Sequence, residues 1–243
     1  PRGQDTQDLT FYSYGDTRTN LSAHNGVARA LLEDLGQAPQ SRGTFILHDG
    51  DFVATGSSES DWANTFFNPS TGPDVQRMLA NLPLYGAIGN HEGSSGIPLL
   101  KKYFPYPFLP SSGFYYSFDY GPVHVAVIDV ETVGFSSGST QYNWLQSDLA
   151  GSAAPAKIVV FHAPGYSAGG GHSDDSAVKS QLVPLFRQHG VDLVVQGHNH
   201  YYARVEQDGL SYLTAGGGGA PLYTPEATTS GLKKSSSSHH FLR

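Results

Sequence analysis

Hydrophobic runs that alternate with helical segments characterise the first half of the chain. Short apolar runs predict three strands, at residues 9–14, 44–47 and 84–88. Apolar residues with helical spacing predict a helix over residues 21–35. A second helical stretch, residues 60–81, is broken by Asn68-Pro69 and Gly72-Pro73. This alternation is typical of an α/β fold.

The second half of the chain adds hairpins to the same pattern. Two strands joined by Gly121-Pro122 are predicted at residues 115–120 and 123–129. Further strands are predicted at residues 157–161, 191–195, 201–207 and 210–215, and helices at residues 140–149 and 177–189. Hairpins combined with strand–helix alternation indicate mixed sheets rather than a purely parallel sheet.

The length of 243 residues suits a single large domain, which we place at residues 9–231. Residues 1–8 are polar and predict a frayed N-terminal arm. Residues 232–243 contain a serine run and predict a disordered tail. We do not interpret the adjacent His239-His240 pair in that tail as a metal site.

Composition narrows the classes of function. The net charge is −7 and only 14% of residues are charged, which argues against binding to a nucleic-acid backbone. No apolar run approaches the length of a membrane span. The low charge and the Gly, Ser and Tyr content suggest an exported bacterial protein, periplasmic or extracellular, although this chain carries no signal peptide and starts at Pro1 as a processed chain would. With no cysteine, a metal would need His, Asp, Glu, Asn or water as ligands.

Five of the predicted strands stop abruptly at residues that can bind metal. The segments are Gly15-Asp16, Gly50-Asp51, Gly89-Asn90-His91-Glu92, Phe161-His162 and Gly197-His198-Asn199-His200. Any one of them alone is more often an ordinary turn, because Gly, Asn and Asp dominate turns. Ligands in α/β sheets bind at the carboxyl ends of strands, where the loops converge. The five together therefore predict one metal site.

The same five segments resemble the calcineurin-like metallophosphoesterase superfamily, and within it the purple acid phosphatase-like branch. The segment His162-Ala163-Pro164-Gly165-Tyr166-Ser167 is also similar to that branch, as is the glycine-rich stretch from Thr214 to Pro221. The resemblance extends over residues 9–223 and implies a four-layer α/β/β/α sandwich. In such a fold, two mixed β-sheets are flanked by helices, and a dinuclear metal site lies at one edge.

The resemblance also implies a role for each site residue. Asp51 would bridge two metal ions, and Asp16 and His200 would complete the first ion's ligands. Asn90, His162 and His198 would complete the ligands of the second ion. We expect Fe, Mn or Zn in both positions, since mixed imidazole and carboxylate ligands suit these metals better than Ca or Mg. The implied activity is hydrolysis of a small phosphate monoester or diester.

The implied chemistry is in-line attack of an activated water on phosphorus. Two cations clamp the attacking and leaving oxygens. His91, which would not bind metal, could protonate the leaving oxygen. We expect the neighbouring Glu92 to orient the ring of His91. His172 and Tyr166 are candidates for the substrate mouth, because their loop follows His162.

The chain departs from the family pattern at two positions. Many relatives have a His ligand two residues after the first Asp, where this chain has Arg18. True purple acid phosphatases have a Tyr three residues after the bridging Asp, where this chain has Ala54. The fourth ligand of the first metal is therefore open, and His24 is our candidate. The alternative is a buried His24 that bonds to a backbone carbonyl or to Asp16, with water as the ligand.

We expect Arg18 to contact a substrate phosphate or a nearby carboxylate, because its guanidinium fork suits both. Two other functions stay open at this stage. One is a metal-binding module that has kept the fold but is catalytically weak. The other is a hydrolase with a single metal. The full set of ligand residues together with His91 favours the two-metal hydrolase over the binding module.

Overall fold

A computed structural model describes residues 9–37 and 43–243. Within these residues the strands form two sheets, one of three strands and one of seven. The small sheet has the order β1-β2-β3 and is parallel throughout. Its strands are β1 (Leu9–Tyr14), β2 (Gly43–His48) and β3 (Leu84–Gly86). The carboxyl ends of these strands therefore lie at one edge.

The large sheet is mixed and has the order β10-β8-β9-β7-β6-β5-β4. Its strands are β4 (Tyr116–Tyr120), β5 (Val123–Val127), β6 (Ala156–Val160), β7 (Leu193–Gln196), β8 (Tyr202–Gln207), β9 (Leu210–Ala215) and β10 (Leu232–Ser236). The four central strands β9, β7, β6 and β5 run parallel to one another. Antiparallel pairs lie on both sides of them, β4 with β5 on one side and β8 with β9 and β10 on the other. The predicted hairpin is the β4–β5 pair.

Helices cover the outer faces of both sheets. They are α1 (Leu21–Gln37), α2 (Glu59–Asp61) with a π-helical turn (Trp62–Phe66), α3 (Pro73–Asn81), α4 (Gly93–Tyr103), α5 (Thr140–Gly151), and α6 (Val183–Gln188) preceded by a π-helical turn (Val178–Leu182). The predicted helix over residues 177–189 is therefore divided. Pro184 lies at the start of α6, where its missing N–H group disturbs the helix least.

Alternate residues of the central strands pack into two cores. Val125 of β5 belongs to the core that contains Phe45 of β2, between the two sheets. Ala126, the next residue, belongs to the core that contains Leu145 of α5 and Phe186 of α6. This period of two is what a strand buried on both faces requires. The expected four-layer sandwich is confirmed.

The C-terminal segment differs from the expected disordered tail. Leu232–Ser236 forms β10, which pairs antiparallel with β8. Farther along, Leu242 and Ser13 of β1 exchange two backbone hydrogen bonds, of 2.7 and 3.0 Å. Backbone pairing needs no apolar side chains, so an edge of the sheet can order a polar segment. The predicted N-terminal arm, residues 1–8, lies outside the described residues.

Candidate metal centre

Tight turns at three strand ends aim the candidate ligands into one crevice. Asp16, Asp51 and His198 all have positive φ angles, of 54°, 57° and 68°. Residues other than glycine rarely adopt this left-handed conformation, and such strain is concentrated at functional sites. A Cβ atom at Gly15 would lie 1.5 Å from an oxygen of the Asp49 side chain, so any larger residue here would displace this buried carboxylate.

The ligands predicted for the second metal converge on Nε2 of His162. That atom lies 3.0 Å from Asn90 Oδ1, 3.2 Å from His198 Nδ1 and 3.4 Å from Asp51 Oδ1. Atoms that each lie about 2.0–2.2 Å from one ion are about 3 to 3.6 Å apart. The Nδ1–H group of His162 donates to the Asp49 carbonyl at 2.8 Å, which leaves the lone pair of Nε2 facing this group. These four residues therefore fit a metal ion.

The ligands predicted for the first metal are less tightly grouped. Asp16 Oδ1 lies 3.4 Å from His200 Nε2, and it is buried with no hydrogen-bond partner among the described residues. Its other oxygen accepts the backbone N–H of His198 at 3.0 Å. Ligand atoms of Asp16, Asp51 and His162 lie within 4.8 Å of one another. The structure thus brings together all six predicted metal ligands.

Arg18 also reaches this cluster. Its Nε donates to Asp51 Oδ2 at 3.1 Å, and a terminal nitrogen lies 3.3 Å from His200 Nε2. Its side chain is only 16% exposed. Of the two contacts expected for Arg18, the structure contains the one with a carboxylate.

The carboxylates around His162 favour positive charge at that imidazole. Burial lowers the pKa of His162, but the charges of Asp51, Asp16 and Glu131 outweigh burial and raise it to about 10. For His198, burial together with the neighbouring His162 lowers the pKa to about 3. A site that stabilises a proton so strongly on one imidazole also attracts a metal cation.

His91 lies at the rim of the centre, with one ring nitrogen directed toward Asp51. Its Nδ1–H group donates to the Ala54 carbonyl at 2.7 Å, so Nε2 is the nitrogen that faces Asp51 Oδ2, at 3.8 Å. Its backbone N–H also donates to Asp51 Oδ1 at 3.0 Å. The ring is positioned by a carbonyl and not by Glu92, whose carboxylate accepts backbone N–H groups instead.

Two aromatic residues form a wall beside the ligand imidazoles. The ring of His172 stacks on His198 with 3.7 Å between centroids, and Tyr223 stacks on His200 at 4.2 Å. The Tyr223 hydroxyl lies 3.4 Å from His172 Nε2. Tyr223 is not among the predicted site residues, although it closely follows the glycine-rich stretch that supports the family resemblance. Tyr166 turns away from the site and donates to Asp208.

His24 is not brought to the metal ligands. It is fully buried on α1, with Nε2 3.2 Å from the Tyr14 hydroxyl and its ring against Phe66. Burial lowers its pKa to about 3. These contacts do not support His24 as the fourth ligand of the first metal. The partner expected in the alternative was a carbonyl or Asp16, and the observed partner is Tyr14.

Comparison with known proteins gives consistent matches. The model of the calcineurin-like phosphoesterase family matches residues 9–202. Purple acid phosphatase 18 of Arabidopsis thaliana is 30% identical over 73% of this chain and 44% of its own length. Probable purple acid phosphatase 20 of the same plant is 31% identical over 78% of this chain and 51% of its own length. The chain spans about half the length of these curated relatives.

A solved structure matches the whole fold. The purple acid phosphatase PPD1 from yellow lupin (Lupinus luteus) seeds superposes with a TM-score of 0.79 and 20% identity. The match covers 98% of this chain and 49% of the lupin chain.

Proposed function

This chain belongs to the calcineurin-like phosphoesterase family, and we propose that it hydrolyses phosphoric monoesters or diesters at the metal centre described above. The observation that carries the proposal is the convergence of Asn90, His198 and Asp51 on Nε2 of His162. A metal ion bound there would polarise the phosphoryl group and activate a water for in-line attack. The proposed metals are Fe, Mn or Zn, and the family pattern supports two ions per chain.

The residues around the centre suit distinct steps of this reaction. His91 Nε2 faces the centre with Asp51 Oδ2 3.8 Å away, so in its protonated form it can deliver a proton to the departing oxygen. Glu92 holds the Asp51 loop by its backbone and so keeps the bridging carboxylate in place. Stacking of His172 and Tyr223 on ligand imidazoles leaves an aromatic wall for the organic part of a small ester.

The cellular location is part of the same proposal. Export to the periplasm or the cell exterior is supported by the composition alone. Among the helices within residues 9–37 and 43–243, none has the length and apolar character needed to cross a membrane.

A substrate and metal screen tests the proposed function. Metal-stripped protein is reloaded with Fe, Mn or Zn and assayed with p-nitrophenyl phosphate and bis(p-nitrophenyl) phosphate. We expect metal-dependent hydrolysis of at least one ester. Asn90→Ala should abolish it, whereas the matched control Asn81→Ala on α3 should not. Metal binding without turnover of either ester would favour the binding-module alternative.

A further inference from the structure

The guanidinium of Arg18 lies among the residues expected to bind the first metal. An Arg side chain offers only N–H donors and keeps its charge at any ordinary pH, so Arg18 supplies no ligand to a metal. The position three residues after Asp51, where a Tyr could supply a ligand, is occupied by Ala54. We call the ligand group of the first metal the first half-site and that of the second metal the second half-site. The first half-site is therefore left with three protein ligands: Asp16, Asp51 and His200.

Arg18 already contacts two of these three ligands. Its Nε donates to Asp51 Oδ2, and its terminal nitrogen lies 3.3 Å from His200 Nε2. The Nδ1–H group of His200 donates to the Pro221 carbonyl at 2.7 Å, so Nε2 carries the lone pair that Arg18 approaches. A metal at this position would need the same oxygen and the same nitrogen.

The remaining ligand atom of the first half-site is Asp16 Oδ1. A single carboxylate oxygen holds a divalent ion weakly, since transition metals in proteins generally take three or four protein ligands. A guanidinium in contact with two of the other ligands also repels an incoming cation, and burial reduces the screening of that repulsion. The second half-site has no such competitor within contact of His162 Nε2 among the described residues.

We propose that Arg18 is the resident cation of the first half-site, so that the chain works with one tightly bound metal in the second half-site. The inference rests on the proposed function and changes its metal count. Among the described residues, the other terminal nitrogen of Arg18 has only a long contact of 3.5 Å, to Thr19 Oγ1. That nitrogen can take a phosphate oxygen, in which case Arg18 supplies positive charge to the substrate in place of a second metal.

Metal stoichiometry tests this inference without any assay of activity. Metal-stripped protein is titrated calorimetrically with Zn²⁺ and with Mn²⁺, and bound metal is counted by elemental analysis after dialysis. For the wild type we expect one tight equivalent per chain. Arg18→His restores a ligand and removes the charge, so a second equivalent should bind at least about tenfold more tightly than any second equivalent in the wild type.

Three further variants control for fold and charge. Arg18→Lys keeps the charge and should still bind one equivalent. Arg18→Ala removes the charge without adding a ligand, so it should bind a second metal equivalent more weakly than Arg18→His does. If Arg18→His does not fold, Arg18→Ala provides the test in its place. Arg29→His adds a histidine on α1, where Arg29 pairs with Asp74, and should bind one equivalent.

The possible outcomes separate the two proposals. Two tight equivalents in the wild type would overturn the inference and leave the proposed function standing. A single equivalent in both Arg18→His and Arg18→Ala, each shown to be folded by circular dichroism, would also overturn it. No tight equivalent in the wild type would remove the metal centre, and the proposed function would fail with it.

Discussion

The carboxylate of Glu92 accepts the backbone N–H of Asp51 at 3.0 Å. The same carboxylate accepts the N–H groups of Phe52 at 3.0 Å and Gly89 at 2.9 Å, so it joins the loop after β2 to the loop after β3. Burial, together with the charge of Asp51, raises the pKa of Glu92 to about 8 against the effect of these donors. The position of the candidate ligand Asp51 thus depends on a residue outside the group of candidate ligands.

Glu92→Gln should loosen this connection. Both carboxylate oxygens accept N–H groups, so the NH₂ half of a glutamine amide must face donors. We expect a loss of about 1–3 kcal/mol in the free energy of unfolding and about a 10–100-fold loss in metal affinity. Urea unfolding and calorimetric metal titration measure the two effects. The control Glu59→Gln, at an exposed site, should change neither by much.

His91→Ala should slow the reaction according to the leaving group. The metal ligands and the backbone bond from His91 to Asp51 stay in place, so metal content should not change. Loss of the general acid should reduce kcat by about 10²–10⁴-fold for an alkyl phosphate, and by much less for p-nitrophenyl phosphate. Steady-state kinetics with both esters provide the comparison. Equal losses for the two would show that His91 is not the acid.

Tyr223→Ala should weaken binding of aryl esters. Its ring stacks on His200 and its hydroxyl reaches His172, so removal opens the aromatic wall. We expect KM for p-nitrophenyl phosphate to rise by about 3–10-fold, the amount an aromatic contact contributes. Tyr223→Phe keeps the ring and should stay near the wild type. If methyl phosphate shows the same rise as the aryl ester, the wall does not bind the organic group.

His124 of β5 should make stability depend on pH through two ion pairs, one with Asp119 of β4 and one with Asp148 of α5. Burial lowers its pKa, but bonds of 2.8 Å to Asp148 and to Asp119 outweigh burial and leave the pKa raised. Because the pKa of His124 is raised in the folded state, its charged form stabilises the folded protein. This stabilisation is fully present at pH values below the ordinary pKa of about 6.5 and is lost as pH rises through the folded-state pKa.

The variant His124→Gln measures that contribution. Urea unfolding at pH 6 should show it about 1–2 kcal/mol less stable than the wild type, as expected for hydrogen bonds between charged groups. At pH 9 the difference should shrink, because the wild-type imidazole loses its charge. A difference of the same size at both pH values would contradict the ion-pair explanation.

The convergence of the six candidate ligands could be predicted from the sequence because each directly follows a strand or lies in the turn after it. The sheet then determines where they meet. His24 shows the limit of such reasoning, since helical spacing identifies a buried face but not which neighbour each residue on it meets. That face turns His24 toward Tyr14 and Phe66.

Two other features depend on parts of the chain distant in sequence. Tyr223 stacks on His200 through a loop whose path has no local periodicity. The polar residues of β10 by themselves predict a disordered segment. What orders it is the open edge of β8, and that information does not lie in the segment itself.

Residues 232–242 also have a consequence for the domain during its synthesis. They provide the outer partner for β8 and, through Leu242, for β1, so among the described residues nothing else pairs with either edge until this segment is synthesised. Unpaired edges recruit strands from other chains. Among the described strands β10 is the outermost of the large sheet, and its lysines and serines discourage further pairing. The polar composition of this segment thus protects the finished domain against edge-to-edge association.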